Sequence, residues 1–244
     1  MPKLYKRLFI PDTHTPFHDP QCVKVLLDVA RDFRPDEVVY LGDWWDCYSV
    51  SSYDKDPEKN FASLKDELLQ GLDILHQVEK VSRANRFVFL QGNHEYRIDR
   101  YLNTYASKLH NILPVREILQ LPKSYTFYPY GQENHYRCGK LILTHGSLTN
   151  KHAAASMVAK YGHSVMFGHT HKIQEYQVRT ITGECHRGIN IGWLGDPKRA
   201  AEYVANVADW SNGFALGYFN KRGHFWTQIV HIINGHAVVN GKLY

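Results

Sequence analysis

Short apolar runs in this chain stop repeatedly at a glycine, an aspartate or a histidine. Leu4 to Ile10 ends at Pro11-Asp12, Glu37 to Leu41 at Gly42-Asp43, and Arg86 to Leu90 just before Gly92-Asn93. A short apolar run closed by turn residues reads as a buried strand. Between the first two runs, Pro20 to Phe33 carries Val23, Leu26, Leu27 and Ala30 at helical spacing and stops before Pro35. Between the second and third, Phe61 to Val81 has the pattern of a long amphipathic helix. Strand, helix, strand, helix, strand is the signature of a parallel sheet with covering helices.

The pattern continues and then changes. Glu95 to Ile112 is expected to be helical. Lys140 to Leu143 reads as a strand closed by Thr144-His145-Gly146, Lys151 to Tyr161 as a helix, and Ser164 to Phe167 as a strand closed by Gly168-His169. From Lys172 onward, alternating segments at Ile173–Ile181, Phe214–Asn220, His224–Ile233 and Ala237–Val239 are joined by turn signals such as Thr182-Gly183 and Asn234-Gly235. These predict antiparallel strands and hairpins. The polar stretch Ser49–Asn60 reads as an exposed loop, long enough for a lid or specificity element. With no repeat, low-complexity tract or linker, residues 1–244 are expected to form one domain.

Composition removes several classes. At 43% hydrophobic and 22% charged residues the chain has enough apolar surface for a core, which excludes a disordered chain. No apolar run approaches the ~20 residues of a membrane span, and the basic start Lys3 to Arg7 is not followed by a secretory apolar region. Cys22, Cys47, Cys138 and Cys185 form no CxxC pair, so reduced thiols in a cytoplasmic protein are expected. The net charge of +5 suits an anionic substrate without by itself implying nucleic acid.

The ionisable residues at the strand ends carry the chemistry. Carboxyl ends of parallel strands lie along one edge of a sheet, where ligand sites form. Asp12, His14, Asp43, Asn93, His145, His169 and His171 all follow predicted strands and are therefore expected to converge. Each alone reads as a turn residue or a packed histidine; jointly they make a mixed oxygen and nitrogen donor set without thiolate. Such a set suits Mn, Fe, Zn or Ni and argues against a structural zinc site. Asp43 is the natural bridge between two ions. His18 reads as a turn residue, and His76 and His110 fall in helical patterns. Trp44-Trp45 either lines a cleft or packs in the core.

Asp12-x-His14, Gly42-Asp43, Gly92-Asn93-His94-Glu95, His145-Gly146 and Gly168-His169-Thr170-His171 resemble, in order, the five motifs of the calcineurin-like metallophosphoesterases. Asn190-Ile191-Gly192 resembles the glycine turn that follows them, with Ile191 where proline is usual. The resemblance implies a four-layer α/β/β/α sandwich, with the C-terminal hairpins in its second sheet. It also implies two divalent transition-metal ions, Mn above Fe, Zn or Ni. One would be held by Asp12, His14, Asp43 and His171, the other by Asp43, Asn93, His145 and His169. His94 would stand beside the scissile phosphate as a catalytic group rather than a ligand, and Glu95 would orient a neighbour or cap the next helix.

The implied reaction is phosphoester hydrolysis by a hydroxide shared between the two metals, with His94 protonating the leaving oxygen. The type of ester is less constrained. Asp46 stands where the repair-nuclease branch often has histidine, and the Asp-Arg-Gly tail of the protein phosphatases is missing its arginine. Arg97 and Arg100, three apart on the helix after the third motif, are candidate substrate contacts. Basic pairs at Lys198-Arg199 and Lys221-Arg222 and 13% aromatic content suit a nucleic-acid groove. The leading expectation is a phosphodiesterase or nuclease acting on DNA or RNA. The alternatives are a phosphomonoesterase on a small molecule or nucleotide and a non-catalytic metal-binding module.

Overall fold

The computed structural model describes residues 3–52, 63–110, 112–131, 133–200 and 209–244. The elements run in chain order as β1 (Tyr5–Ile10), α1 (Pro20–Phe33), β2 (Glu37–Tyr40), α2 (Leu64–Ser82), β3 (Arg86–Leu90), α3 (Tyr96–Tyr105), α4 (Ser107–His110), α5 (Val115–Ile118), β4 (Thr126–Tyr128), β5 (Tyr136–Cys138) and β6 (Leu141–Leu143). They continue as α6 (Ala153–Tyr161), β7 (Ser164–Phe167), β8 (Ile173–Arg179), β9 (Cys185–Ile191), α7 (Pro197–Ala200), β10 (Gly213–Phe219), β11 (Phe225–His231), β12 (Val238–Val239) and β13 (Lys242–Leu243). Among the described residues no helix is long and apolar enough to cross a membrane.

Two sheets stack face to face. The first has the order β11-β10-β1-β2-β3-β4 and the second β5-β6-β7-β9-β8. Strands β1 to β4 are mutually parallel, as are β6, β7 and β9. Period-two alternation sorts the side chains between layers. Phe9, Val39, Leu41, Val88 and Leu90 of the first sheet meet Leu141, Leu143, Met166 and Ile189 of the second in an inner core. Their neighbours Leu8, Ile10, Val38, Tyr40 and Phe89 point outward beneath α1 and α2. On the far side Ile142, Val165 and Phe167 pack under α6. Helix, sheet, sheet, helix is the expected four-layer sandwich. Each large apolar side chain buried this way stabilises it by about 1.5–3 kcal/mol.

Local signals explain the helix limits. Asp19 caps α1 by accepting from the Gln21 and Cys22 N–H groups, and Arg34 closes it in the left-handed region ahead of Pro35. Helix α2 starts at Leu64, later than the hydrophobic pattern indicates, because Ser63 and Asp66 form a capping box. Residues 53 to 60 of the expected polar loop, and Phe61 and Ala62 of the expected helix, lie outside the described residues. The single helix expected over Glu95–Ile112 is broken at Ala106, which leaves helical backbone. Beyond it Leu109, Ile112 and Leu113 are exposed, so no buried stripe holds a longer helix together.

The C-terminal hairpin departs from expectation. Strands β10 and β11 extend the first sheet, β10 pairing antiparallel with β1, and do not enter the second sheet. The second sheet is instead built mostly from the middle of the chain, including β5 and β9, which sequence reading passed over. Strand β9 is half polar and β5 has three residues, so neither shows a clear apolar run. As a result the expected common edge belongs to two sheets: β1, β2 and β3 deliver their loops from one, β6 and β7 from the other.

Candidate metal centre

The converging loops are tight and partly strained. His14, Asp43, His169 and His171 have φ of 50°, 50°, 67° and 57°, the left-handed region that side chains other than glycine rarely occupy. Hydrogen bonds hold them there. The N–H groups of Thr13 and His14 both donate to the Asp43 carbonyl at 2.9 Å, and the His169 N–H donates to the Asp12 carboxylate at 2.9 Å. The His94 N–H donates to Asp43 Oδ1 at 2.8 Å. Two glycines are required by close approach: a Cβ on Gly92 would stand 2.1 Å from Asp43 Oδ1, and one on Gly168 2.0 Å from Asp12 Oδ1.

One half of the centre is buried. Asp12, His14 and His171 are at most 9% exposed. His171 Nε2 lies 3.1 Å from Asp12 Oδ2 and 2.9 Å from His14 Nε2. His14 Nδ1 is 2.9 Å from Asp46 Oδ2, an ionised acceptor, so Nδ1 carries the hydrogen and the Nε2 lone pair faces the cluster. The His171 ring stacks on Trp193 at 4.9 Å and meets the edge of Trp210 at 4.2 Å.

The other half is built alike and opens further. His145 Nδ1 donates to the Leu41 carbonyl at 2.9 Å, which turns its Nε2 lone pair inward. That nitrogen lies 2.9 Å from Asn93 Oδ1, 3.2 Å from Asp43 Oδ2 and 3.2 Å from His169 Nδ1. Asn93, His94 and His169 are partly exposed. The His14 and His145 Nε2 lone pairs both face oxygen acceptors, His145 Nε2 at 2.9 Å from Asn93 Oδ1 and 3.2 Å from Asp43 Oδ2, His14 Nε2 at 3.8 Å from Asp12 Oδ2 and 3.9 Å from Asp43 Oδ2. A cation between them satisfies these acceptors at once, and the second nitrogens of His14 and His145 are fixed as metal-bound imidazoles usually are. The donor set therefore fits divalent metal ions. Asp12, His14 and His171 form one group that could hold an ion, Asp43, His145 and His169 another, and Asp43 also groups with His14 and His94.

The electrostatics agree. Burial alone would lower His14, but hydrogen bonds with Asp12 and Asp46 outweigh it and push its pKa up to about 10. His145 goes up to about 9, burial being outweighed by the Asp43 charge and hydrogen bond. Asp43 is held well below the usual carboxylate range, the His145 and His94 charges overcoming its burial. His169 falls to about 4 through burial and the nearby His145. The pocket draws positive charge toward Asp12 and Asp43.

The remaining candidates find distinct places. Arg97 Nη1 donates to the Asp46 carbonyl at 2.8 Å and to Asp46 Oδ1 at 3.1 Å, and its Nη2 lies 3.0 Å from His94 Nε2. Arg97 thus touches the centre, whereas Arg100 is exposed one turn away on the rim. His94 Nε2 is 3.8 Å from Asp43 Oδ2, and its Nδ1 is 3.0 Å from the Asp46 carbonyl. Glu95 accepts from the N–H groups of Asp43, Trp45 and Gly92 at 3.0, 2.9 and 2.8 Å, and makes no cap for α3. It ties the second loop to the third, at the cost of burial that raises its own pKa to about 7. Trp44 and Trp45 are fully buried and donate to the Gly71 and Leu68 carbonyls of α2, so they pack the core and line no cleft.

Three contributors escaped the sequence. In the sequence Asp46 stands out only as a residue in place of a histidine, yet it is fully buried and touches His14, His94 and Arg97. Its signal was a carboxylate three residues beyond Asp43 in an otherwise apolar and aromatic loop. Trp193 and Trp210 carry no signal beyond the nearness of Trp193 to Asn190-Ile191-Gly192.

The sequence model of the calcineurin-like phosphoesterase family matches residues 5–173. The Gene 54 protein of Mycobacterium phage L5 is 28% identical over 252 residues, covering 96% of each chain. Among solved structures the chain is similar to Vacuolar Protein Sorting 29 of Cryptosporidium parvum, at 12% identity and a TM-score of 0.49, covering 99% of this chain and 95% of that one. It is also similar to YfcE, a phosphoesterase from E. coli, at 15% identity and a TM-score of 0.42, covering 93% and 100%.

Proposed function

The chain belongs to the calcineurin-like phosphoesterase family and is a metal-dependent phosphoesterase; from that premise we propose that it is a two-metal phosphodiesterase acting on nucleic acid in the cytoplasm. Asp12, His14, Asp43 and His171 would hold one ion, and Asp43, Asn93, His145 and His169 the second. The observation that carries this assignment is the set of facing acceptors around the His14 and His145 Nε2 atoms, joined through Asp43. Residues 1–244 are taken as one domain, which the contribution of both sheets to a single centre supports.

Divalent ions, Mn in the first place, supply Lewis acidity toward phosphoryl oxygens and lower the pKa of water to about 7 when bound. The side chains do the rest. Asp46 fixes His14 and His94 through their Nδ1 atoms, leaving both Nε2 atoms to work. His94 moves a proton at Nε2 to the leaving oxygen, and Asp46 offsets the imidazolium charge. In the substrate-free protein Arg97 Nη2 occupies His94 Nε2. An entering phosphoryl oxygen competes for that guanidinium N–H and frees the imidazole to take up at Nε2, from solvent, the proton it then passes to the leaving oxygen. Arg97 then bridges Asp46 and phosphate, and Arg100 meets the next phosphate along the rim.

The test is to strip the protein of metal, restore Mn²⁺, Ni²⁺, Zn²⁺ or Mg²⁺ in turn, and assay a bis-aryl phosphate, a mono-aryl phosphate and circular single- and double-stranded DNA. Metal-dependent cleavage of the bis-aryl diester and nicking of a circle are expected, Mn²⁺ giving the highest rate. Activity on the monoester alone would overturn the diesterase assignment in favour of a phosphomonoesterase.

A further inference from the structure

Helix α3 leaves the metal centre with one face committed to the core and, beyond Arg97, which pairs with Asp46, a neighbouring face that is exposed. Ile98 and Leu102 are buried at 3% and 8% exposure. Arg97, Arg100, Tyr101, Thr104 and Tyr105 follow the i, i+3, i+4, i+7, i+8 spacing of a single helical stripe. With Ser51 they line an open groove of about 430 Å³. The groove begins at Arg97, whose guanidinium reaches His94, and runs outward along the helix.

The chemistry of the stripe changes with distance from the centre. Nearest stands Arg97. One turn on, Arg100 is exposed and makes no hydrogen bond or ion pair with any described residue. Then come two tyrosines, 46% and 75% exposed, whose rings lie 5.0 Å apart at 49°. Large aromatic rings contribute most when buried, and neither ring covers the core. Guanidinium groups followed by open ring faces match a strand whose phosphates alternate with unstacked bases. A duplex hides its base faces inside the stack, so it cannot present them to these rings.

We infer that the α3 stripe is a binding track for single-stranded nucleic acid: Arg97 and Arg100 take successive phosphates beside the metals, and bases stack on Tyr101 and Tyr105. This deepens the diesterase assignment above and rests on it for the position of the scissile phosphate, while the track itself can be measured separately. Recognition by stacking on ring faces is tolerant of sequence.

The experiment is fluorescence anisotropy of a labelled phosphorothioate oligo(dT) of about 16 nucleotides, titrated with the metal-loaded full chain. Tyr101→Leu with Tyr105→Leu is expected to weaken binding by roughly 10-fold or more per ring, whereas Phe at both positions keeps it. A duplex of equal length should bind at least about 10-fold more weakly than the single strand. Arg100→Gln should reduce the salt slope of log K by about 0.7, the share of one phosphate contact on a single strand. Thermal midpoints of all variants, measured alongside, report on folding. Unchanged binding by the double leucine variant, or equal binding of the duplex, would overturn the track. Turnover of the bis-aryl phosphate by the wild-type protein is scored separately: its absence counts against the diesterase assignment, whereas tyrosine-independent binding counts against the track.

Discussion

The two halves of the donor cluster each join two imidazoles to one oxygen donor, a carboxylate in one and an amide in the other, in different surroundings. Around Asp12, His14 and His171, the orienting partner is the carboxylate of Asp46 and the backing is indole, from Trp193 and Trp210. Around Asn93, His145 and His169, the orienting partner is the neutral carbonyl of Leu41, and Asn93 and His169 are partly exposed. A charged partner raises the basicity of an imidazole more than a carbonyl does. On the proposed two-metal reading, the first half would retain a cation and the second would bind one on the more exposed side, with Asp43 common to both.

Removing the common member should have the largest effect. Asp43→Asn is expected to lower bound metal from two ions per chain to one or fewer by elemental analysis. It should also cut diester turnover by about 10³-fold or more, as when a key electrostatic contact to the transition state is lost. Retention of both ions would show that the halves are independent sites. His94→Ala comes next and separates chemistry from binding on the open side. Metal content should stay at the wild-type level while turnover falls about 10²–10⁴-fold, the usual contribution of a positioned general acid. The loss should be greatest for poor leaving groups, and metal loss in this variant would make His94 a ligand.

Asp46→Asn probes the contrast between carboxylate and carbonyl directly. The amide oxygen can still accept from His14 Nδ1, so geometry is kept while charge is removed. Loss of such a partner costs about 10–100-fold in metal affinity. It should appear in competition with a chelator as one weakened ion and one unaffected ion. If both weaken equally, the buried half owes nothing special to Asp46.

The sandwich and the convergence of the seven predicted residues were legible in the sequence because each depends on a local pattern: an apolar run, then a turn, then an ionisable or amide side chain. Val39 and Leu41 against Val38 and Tyr40 already state which sheet face is which. What the sequence did not show depends on tertiary packing. The β10–β11 hairpin could have joined either sheet, and only its register with β1, such as Leu8 beside Leu216, decides it. Trp44 and Trp45 are core residues because α2 offers carbonyls to their indole N–H groups, an event a separate helix contributes. Asp46 acts across 32 residues to His14 and 48 to His94, and no spacing rule connects such positions.

The smallest effect concerns the loop that carries Asp46. Glu67 on α2 accepts from the Ser49 N–H at 3.2 Å and is 1% exposed. Burial raises its pKa from 4.5 to about 7. An acid whose folded pKa lies above its unfolded value contributes stability that is fully present below the unfolded pKa and is lost as pH rises through the folded one. Stability tied to Glu67 should therefore fall between about pH 4.5 and pH 7. Glu67→Gln keeps an oxygen for Ser49 and removes the titration. The difference in unfolding free energy between variant and wild type should then shift in favour of the variant by on the order of 2–3 kcal/mol across that window. Urea melts at both ends of it, in constant metal, provide the measurement. Metal content and turnover should hardly change, since Glu67 touches the loop behind Asp46 and no member of the donor set. A flat difference would mean that Glu67 stays ionised behind the buried half, and that this side of the centre is wetter than the other.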